Sequence, residues 1–179
     1  MEIFYRKAVL KDAEEIREIY QYYIDYTTAT FATGKISKRE YEDKIKEDHY
    51  PFWVAEKEGR IIGFAYAARL RPKEAYIWDV ELTIYLHPEA PARKGIGNTL
   101  YGHLLEEVEN MGFRNAYGVI TGSNLNSLAF HEKFGFAEVA RFPKMGYKHG
   151  TWHDVIWMHK AFGRFEEVPE PPKPFQKNE

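Results

Sequence analysis

The stretch from Trp78 to Leu105 constrains this chain more than any other. Val80-Glu81-Leu82-Thr83-Ile84-Tyr85-Leu86 alternates in the manner of a β-strand. His87-Pro88-Glu89-Ala90-Pro91 turns the chain, and Ala92-Arg93-Lys94-Gly95-Ile96-Gly97-Asn98 opens a long amphipathic helix. The first turn of such a helix has N–H groups with no intrahelical partner, and the helix dipole adds partial positive charge there. A strand that runs through a basic, glycine-bearing turn into a helix can therefore hold phosphate. Gly95 and Gly97 let a ligand approach the backbone, and Arg93 and Lys94 add cations beside it. A Gly-x-Gly turn is also an ordinary tight connection, so the turn alone leaves both uses open. Two phosphate motifs are excluded. No Gly-x-x-x-x-Gly-Lys-Ser/Thr is present, and Leu100 stands where a dinucleotide fingerprint needs its third glycine.

Length and charge narrow the class. A chain of 179 residues suggests one domain with a sizeable core. With 25 Lys and Arg against 27 Asp and Glu, the net charge of −2 argues against a dedicated nucleic-acid binder. The absence of cysteine excludes disulfides, thiolate metal sites and a cysteine nucleophile. No signal pattern is visible at the N-terminus, and no apolar run approaches membrane-spanning length. A cytoplasmic protein with no membrane and no nucleic-acid partner is the expectation. The 13 Tyr and 12 Phe should mostly fill a core, with some available to line a cleft.

Periodicity and turn residues place strands over 3–9, 52–57, 61–70, 76–87, 116–121, 136–142 and 152–160. Helices are expected over 12–26, with Asp12 as N-cap, and over 38–49, where Ser37 and Glu40 make a capping box. Two more follow, over 95–111 and 124–134. Glu58-Gly59 should close a hairpin. This order gives a mixed α/β sheet flanked by helices. The Pro-Glu-Pro-Pro-Lys-Pro run near the end cannot join a helix or an inner strand and reads as an exposed extended tail.

Several residues stand out chemically. Alternation puts Val80, Leu82, Ile84 and Leu86 on one face, and Asp79, Glu81, Thr83 and Tyr85 on the other. A carboxylate in mid-sheet is costly unless it is paired or borders a cleft, so Glu81 is either a salt-bridge partner or a general base. Asn124, Ser127 and His131 share one helical face. They could wall a cleft, or Asn124 could simply cap the helix while His131 sits on the surface. His149 and His153 have a metal-like spacing, but Gly150 argues against a helix and no third ligand is evident, so no metal is expected. Arg69, Arg71 and Lys73 are either a solvated charge run or anchors for an oxyanion.

Together these residues resemble the GNAT superfamily of acyl-CoA-dependent N-acetyltransferases. The resemblance rests on the strand, the Arg93-Lys94-Gly95-Ile96-Gly97 turn, Asn124 with Ser127, and Phe134-Gly135-Phe136, and runs to about Phe162. Within the superfamily the chain is similar to the phosphinothricin acetyltransferase group, which also acetylates methionine sulfoximine and related amino acids. Three passages carry this: Tyr76-Ile77-Trp78-Asp79-Val80-Glu81, Leu100-Tyr101-Gly102-His103-Leu104-Leu105, and residues 146–155, Gly-Tyr-Lys-His-Gly-Thr-Trp-His-Asp-Val.

The resemblance implies a single GNAT domain over 1–162 with a splayed, mostly antiparallel central sheet, and a proline-rich tail over 163–179. It implies acetyl-CoA as co-substrate. The backbone of Leu86 and His87 would pair with the pantetheine arm. The amides of Arg93, Lys94, Gly95, Ile96, Gly97 and Asn98 would cradle the pyrophosphate. Asn124 would contact the arm near the thioester, with Ser127 beside it. Glu81 matches the general base, and His131 stands where many members carry a tyrosine acid. Phe31, Arg71, Lys73, Tyr76, Thr83, Tyr85 and Val155 would line the acceptor pocket. A homodimer is implied as well. Ala92 departs from the Gln or Arg usual in the turn, Asp79 from a usual threonine, and Leu82 from a small polar residue.

The expected reaction is direct attack by the α-amino group of a small amino acid on the thioester, without a covalent acyl-enzyme, since no activated nucleophile is visible. The alternatives are a protein N-terminal or polyamine acetyltransferase, or a coenzyme-A-binding sensor without catalysis. Arg71 and Lys73 favour an amino acid over a polyamine, and Glu81 with His131 speaks against a sensor.

Overall fold

A computed structural model describes residues 2–47, 49–91, 94–165 and 168–174. In chain order the elements are β1 (Phe4–Lys7), α1 (Ala13–Tyr26), α2 (Lys38–Lys46), β2 (Phe52–Lys57), β3 (Arg60–Arg69) and β4 (Asp79–Leu86). Then follow α3 (Ile96–Asn110), β5 (Asn115–Thr121), α4 (Leu125–Lys133), β6 (Ala137–Lys148) and β7 (Thr151–Ala161). The strands form one seven-stranded sheet in the order β1-β2-β3-β4-β5-β7-β6. Every neighbouring pair is antiparallel except β4 with β5.

Side-chain alternation builds a core on each face. On one face Ala55, Ala65, Ala67, Val80 and Leu82 pack under α3, which buries Leu100, Tyr101, Leu104 and Val108 completely. The small alanines let the helix lie close to the sheet. On the other face Phe52, Val54 and Phe64 meet Ile16 and Ile19 of α1 and Tyr41 and Ile45 of α2. That second core is aromatic: Tyr20 and Tyr85 have ring centroids 5.1 Å apart, and Tyr23 and Tyr85 4.7 Å. Full burial of one such ring contributes about 1.5–3 kcal/mol.

Local chemistry sets the boundaries. Ser37 and Glu40 do form a capping box at the start of α2. Lys57-Glu58-Gly59-Arg60 closes β2 on β3, with Glu58 and Gly59 both at positive φ, as a tight two-residue hairpin turn requires. Asp12 departs from expectation. Its side chain does not cap α1. Arg6 holds the carboxylate through two bonds, of 2.6 and 2.9 Å, and Val9 N donates to it at 2.9 Å. The strand expected over 76–87 begins only at Asp79, because Glu74–Tyr76 winds into a 3-10 turn. β6 runs on to Lys148 instead of ending at Phe142. A register shift between Phe142 and Gly146 hid the continuation, with Pro143 lacking an N–H and Lys144 at φ 52°. His149 and Gly150, both at positive φ, then turn β6 into β7.

The parallel pair determines where a ligand can go. β4 and β5 are in register only at Asp79 with Asn115, Val80 with Ala116 and Glu81 with Tyr117. Beyond Glu81 the strands separate, and residues 82–86 of β4 and 118–121 of β5 leave a wedge between them. The described part of the tail is mostly exposed but not loose. Trp78 Nε1 donates to the Glu170 carbonyl at 2.8 Å, and Lys173 N donates to Met111 O at 2.7 Å. Among the described residues no helix is long and apolar enough to cross a membrane.

Candidate active site

The wedge between β4 and β5 widens into a cleft of about 690 Å³. β4 forms one wall with Glu81, Thr83 and Tyr85; β5 and α4 form the other with Gly118, Asn124, Ser127 and His131. Phe31, from the segment after α1, and Val155 on β7 complete the far end. Leu82, Ile84 and Leu86 also line the cleft, so it passes between the strands and draws on both faces of the sheet.

Glu81 is half-buried, and no ion pair holds it among the described residues. Burial raises its pKa above the ordinary 4.5, against the attraction of Lys44. A carboxylate so placed is a stronger base than an exposed one. His131 is not on the surface: it is 3% exposed, wrapped by Tyr101, Phe130 and Phe136. Its Nδ1 lies 2.8 Å from Ser127 O. A carbonyl can only accept, so Nδ1 carries the proton and Nε2 keeps a lone pair. Nε2 is buried and has no partner among the described residues. Burial also lowers the pKa of this ring, opposed by the bond to Ser127. The resting imidazole is therefore a neutral proton acceptor.

Gly118, missed in the sequence, makes that placement possible. A Cβ there would lie 2.9 Å from both Cδ2 and Nε2 of His131. A glycine within a strand pattern, Tyr117-Gly118-Val119, is the signal that could have found it. Tyr20, Tyr23, Tyr66, Thr121 and Phe130 line the cleft as well and were not foreseen. Asn124 caps α4, its side chain accepting from Ser127 N at 3.2 Å, and it also lines the cleft.

The helix start has the geometry an anion needs. Gly95 is the N-cap of α3 at φ 69°, and no side chain caps the helix. The first intrahelical bond runs from Thr99 N to Gly95 O, leaving the amides of Ile96, Gly97 and Asn98 without intrahelical partners. The first turn carries no acid, and Lys94 is exposed beside it. Ile96 buries its side chain in the core while Gly97 lines the cleft. Arg93 and Ala92 lie outside the described residues.

Four predicted positions need correction. His87 has no amide proton to offer: its N–H donates to Ile62 O at 2.9 Å, and its carbonyl already accepts one bond, from Ala90 N at 2.8 Å. Leu86 does line the cleft, with its carbonyl accepting from the Tyr23 hydroxyl at 2.8 Å. Arg71 is not among the cleft residues; its guanidinium lies 5.6 Å from the ring centre of Trp157. Lys73 is exposed ahead of the 3-10 turn, and Tyr76, within that turn, lines a separate cavity of about 290 Å³ with Trp78 and Asp79. Asp79 itself is bonded by Asn115 at 2.7 Å. His149 and His153 flank a hairpin turn, each bonded to a carbonyl, and no group of three potential ligands for a metal occurs among the described residues.

The acetyltransferase (GNAT) domain family matches this chain over residues 6–157. The chain belongs to the GNAT acetyltransferase family. This acetyltransferase is 37% identical over 171 residues to the phosphinothricin N-acetyltransferase of Streptomyces viridochromogenes, covering 94% of this chain and 91% of that one. It is 28% identical to an L-methionine sulfoximine/L-methionine sulfone acetyltransferase of Salmonella typhimurium, covering 82% and 87%. In three dimensions it is similar to a phosphinothricin acetyltransferase of Sinorhizobium meliloti solved in complex with acetyl-CoA. That likeness has a TM-score of 0.88 and 33% identity, covering 99% of this acetyltransferase and all of that chain.

Proposed function

We propose that this acetyltransferase moves the acetyl group of acetyl-CoA to the α-amino group of a small amino acid or analogue of the phosphinothricin and methionine sulfoximine kind. The observation that carries the reading is the cleft itself, with a raised-pKa carboxylate on one wall and a neutral imidazole on the other. The uncapped amides of α3 open beside it and suit the pyrophosphate of the co-substrate. The names of the two relatives described above support the acceptor class.

An α-ammonium with a pKa of roughly 8 must lose its proton before it attacks the thioester carbonyl. Glu81 takes that proton, directly or through a water. Amides along the open edge of β4 are donors for the developing oxyanion. His131, with its Nε2 lone pair directed into a buried space, assists deprotonation and can return a proton to the departing thiolate. Holding both substrates in one cleft supplies much of the rate, with no covalent acyl-enzyme. Residues 1–162 form the catalytic domain and 163–179 an appendage. The enzyme is cytoplasmic and a homodimer; exposed Phe142 and Met145 on β6 are apolar surface that a second copy can cover.

The test is thiol release from acetyl-CoA with phosphinothricin, L-methionine sulfoximine, the common amino acids, spermidine and a short peptide. Turnover confined to amino acids and their analogues is expected; turnover of spermidine or peptide alone would reject the acceptor class. Glu81→Gln should lower kcat by about 10²–10⁴-fold. Wild-type activity should fall as pH drops through the raised pKa of Glu81, since the base must be ionised, and the variant should lose that acid limb. A variant with wild-type rate and an unchanged pH profile removes Glu81 from the role.

A further inference from the structure

Four consecutive backbone carbonyls after α1 are each caught by a different side chain of the sheet. The His149 ring N–H, in the β6–β7 turn, donates to Thr27 O at 3.2 Å. Thr121 Oγ1 on β5 donates to Thr28 O at 2.5 Å. The Tyr85 hydroxyl on β4 donates to Ala29 O at 3.3 Å. Lys148 Nζ on β6 donates to Thr30 O at 2.8 Å and reaches Tyr23 O at 3.5 Å. Lys148 is only 6% exposed, so its ammonium has exchanged water for these carbonyls. The next residue, Phe31, packs so tightly on Gly146 that a Cβ there would lie 2.5 Å from its ring.

The placement of this clamp gives it a purpose. Tyr85 and Thr121 belong to the two strands that part beyond Glu81, so residues 28–29 are tied to both sides of the wedge. Ala29, Thr30 and Phe31 line the cleft, whereas Lys148 does not. We infer that Lys148 is a positioning residue for acceptor binding, its ammonium fixing the 27–31 segment whose residues Ala29, Thr30 and Phe31 wall the cleft. The inference rests on the acetyltransferase reading above and accounts for a lysine in the 146–155 passage that the chemistry does not use.

Lys148→Met removes the charge at similar length. With L-methionine sulfoximine as acceptor, its KM should rise about 10–100-fold, the loss expected for a charge-assisted hydrogen bond. The kcat at saturating acceptor and the KM for acetyl-CoA should stay near wild type. Thr121→Val should act in the same direction from β5, with Thr121→Ser, which keeps the hydroxyl, restoring the wild-type value. An unchanged acceptor KM in Lys148→Met, or equal rises for acceptor and acetyl-CoA, overturns the inference. Hydrogen exchange reads the clamp without any acceptor. Faster exchange in Lys148→Met confined to residues 27–34 supports it, and unchanged or molecule-wide faster exchange overturns it. Failure of the wild type to acetylate any amino acid would refute the proposed acceptor class, while the exchange experiment still decides the clamp.

Discussion

At the scale of the residue, the site depends on what is absent at position 118. The ring of His131 packs directly against the α-carbon of Gly118 on β5, where a single methyl would intrude on it. Gly118→Ala should therefore push the imidazole aside. Overpacking of this kind costs about 1–3 kcal/mol. The expected outcome is a fall in kcat of about tenfold or more, with a modest drop in melting temperature, read by steady-state kinetics and thermal denaturation. Equal kinetics in variant and wild type would show that the position of His131 is immaterial. Glu81, Thr83 and Tyr85 were legible from period-two alternation, and Asn124, Ser127 and His131 from helical spacing. The segment carrying Ala29 and Thr30 was not, because the groups that place it are 56–118 residues away in sequence. Arg71, Lys73 and Tyr76 failed for a related reason. Resemblance supplied their roles, but position in sequence does not say where they point: Arg71 lies over Trp157, Lys73 is the exposed residue before the 3-10 turn, and Tyr76 within that turn lines a separate cavity.

At the scale of the element, the start of α3 joins a backbone requirement to a binding surface. Gly95 holds φ at 69°, and no atom lies within 4 Å of where its Cβ would be. Gly95→Ala thus introduces conformational strain without a clash, about 1–2 kcal/mol for an L-residue in that region. The variant is expected to raise the KM for acetyl-CoA several-fold while leaving that of the acceptor alone, the mirror image of the clamp variants. Isothermal titration with coenzyme A checks the same point without turnover. Element order and the capping box of α2 were readable from local chemistry. The full length of β6 was not, because a bulge interrupts its alternation at Pro143 and Lys144.

At the scale of the whole molecule, the tail and the central wedge have different consequences. Truncation after Phe162 removes the carbonyl that Trp78 Nε1 donates to and the amide that bonds Met111 O. Loss of those bonds should cost about 1–3 kcal/mol, seen as a lower denaturant midpoint and altered Trp fluorescence, with kcat retained. The wedge has a wider effect. Its lining comes from both sides of the sheet: Glu81 and Tyr85 from one, Ile84, Gly97 and Phe130 from the other. A cleft divided in this way has walls of two separate origins. Substitutions on one wall can retune one guest while the other wall, built from different elements, keeps its own shape.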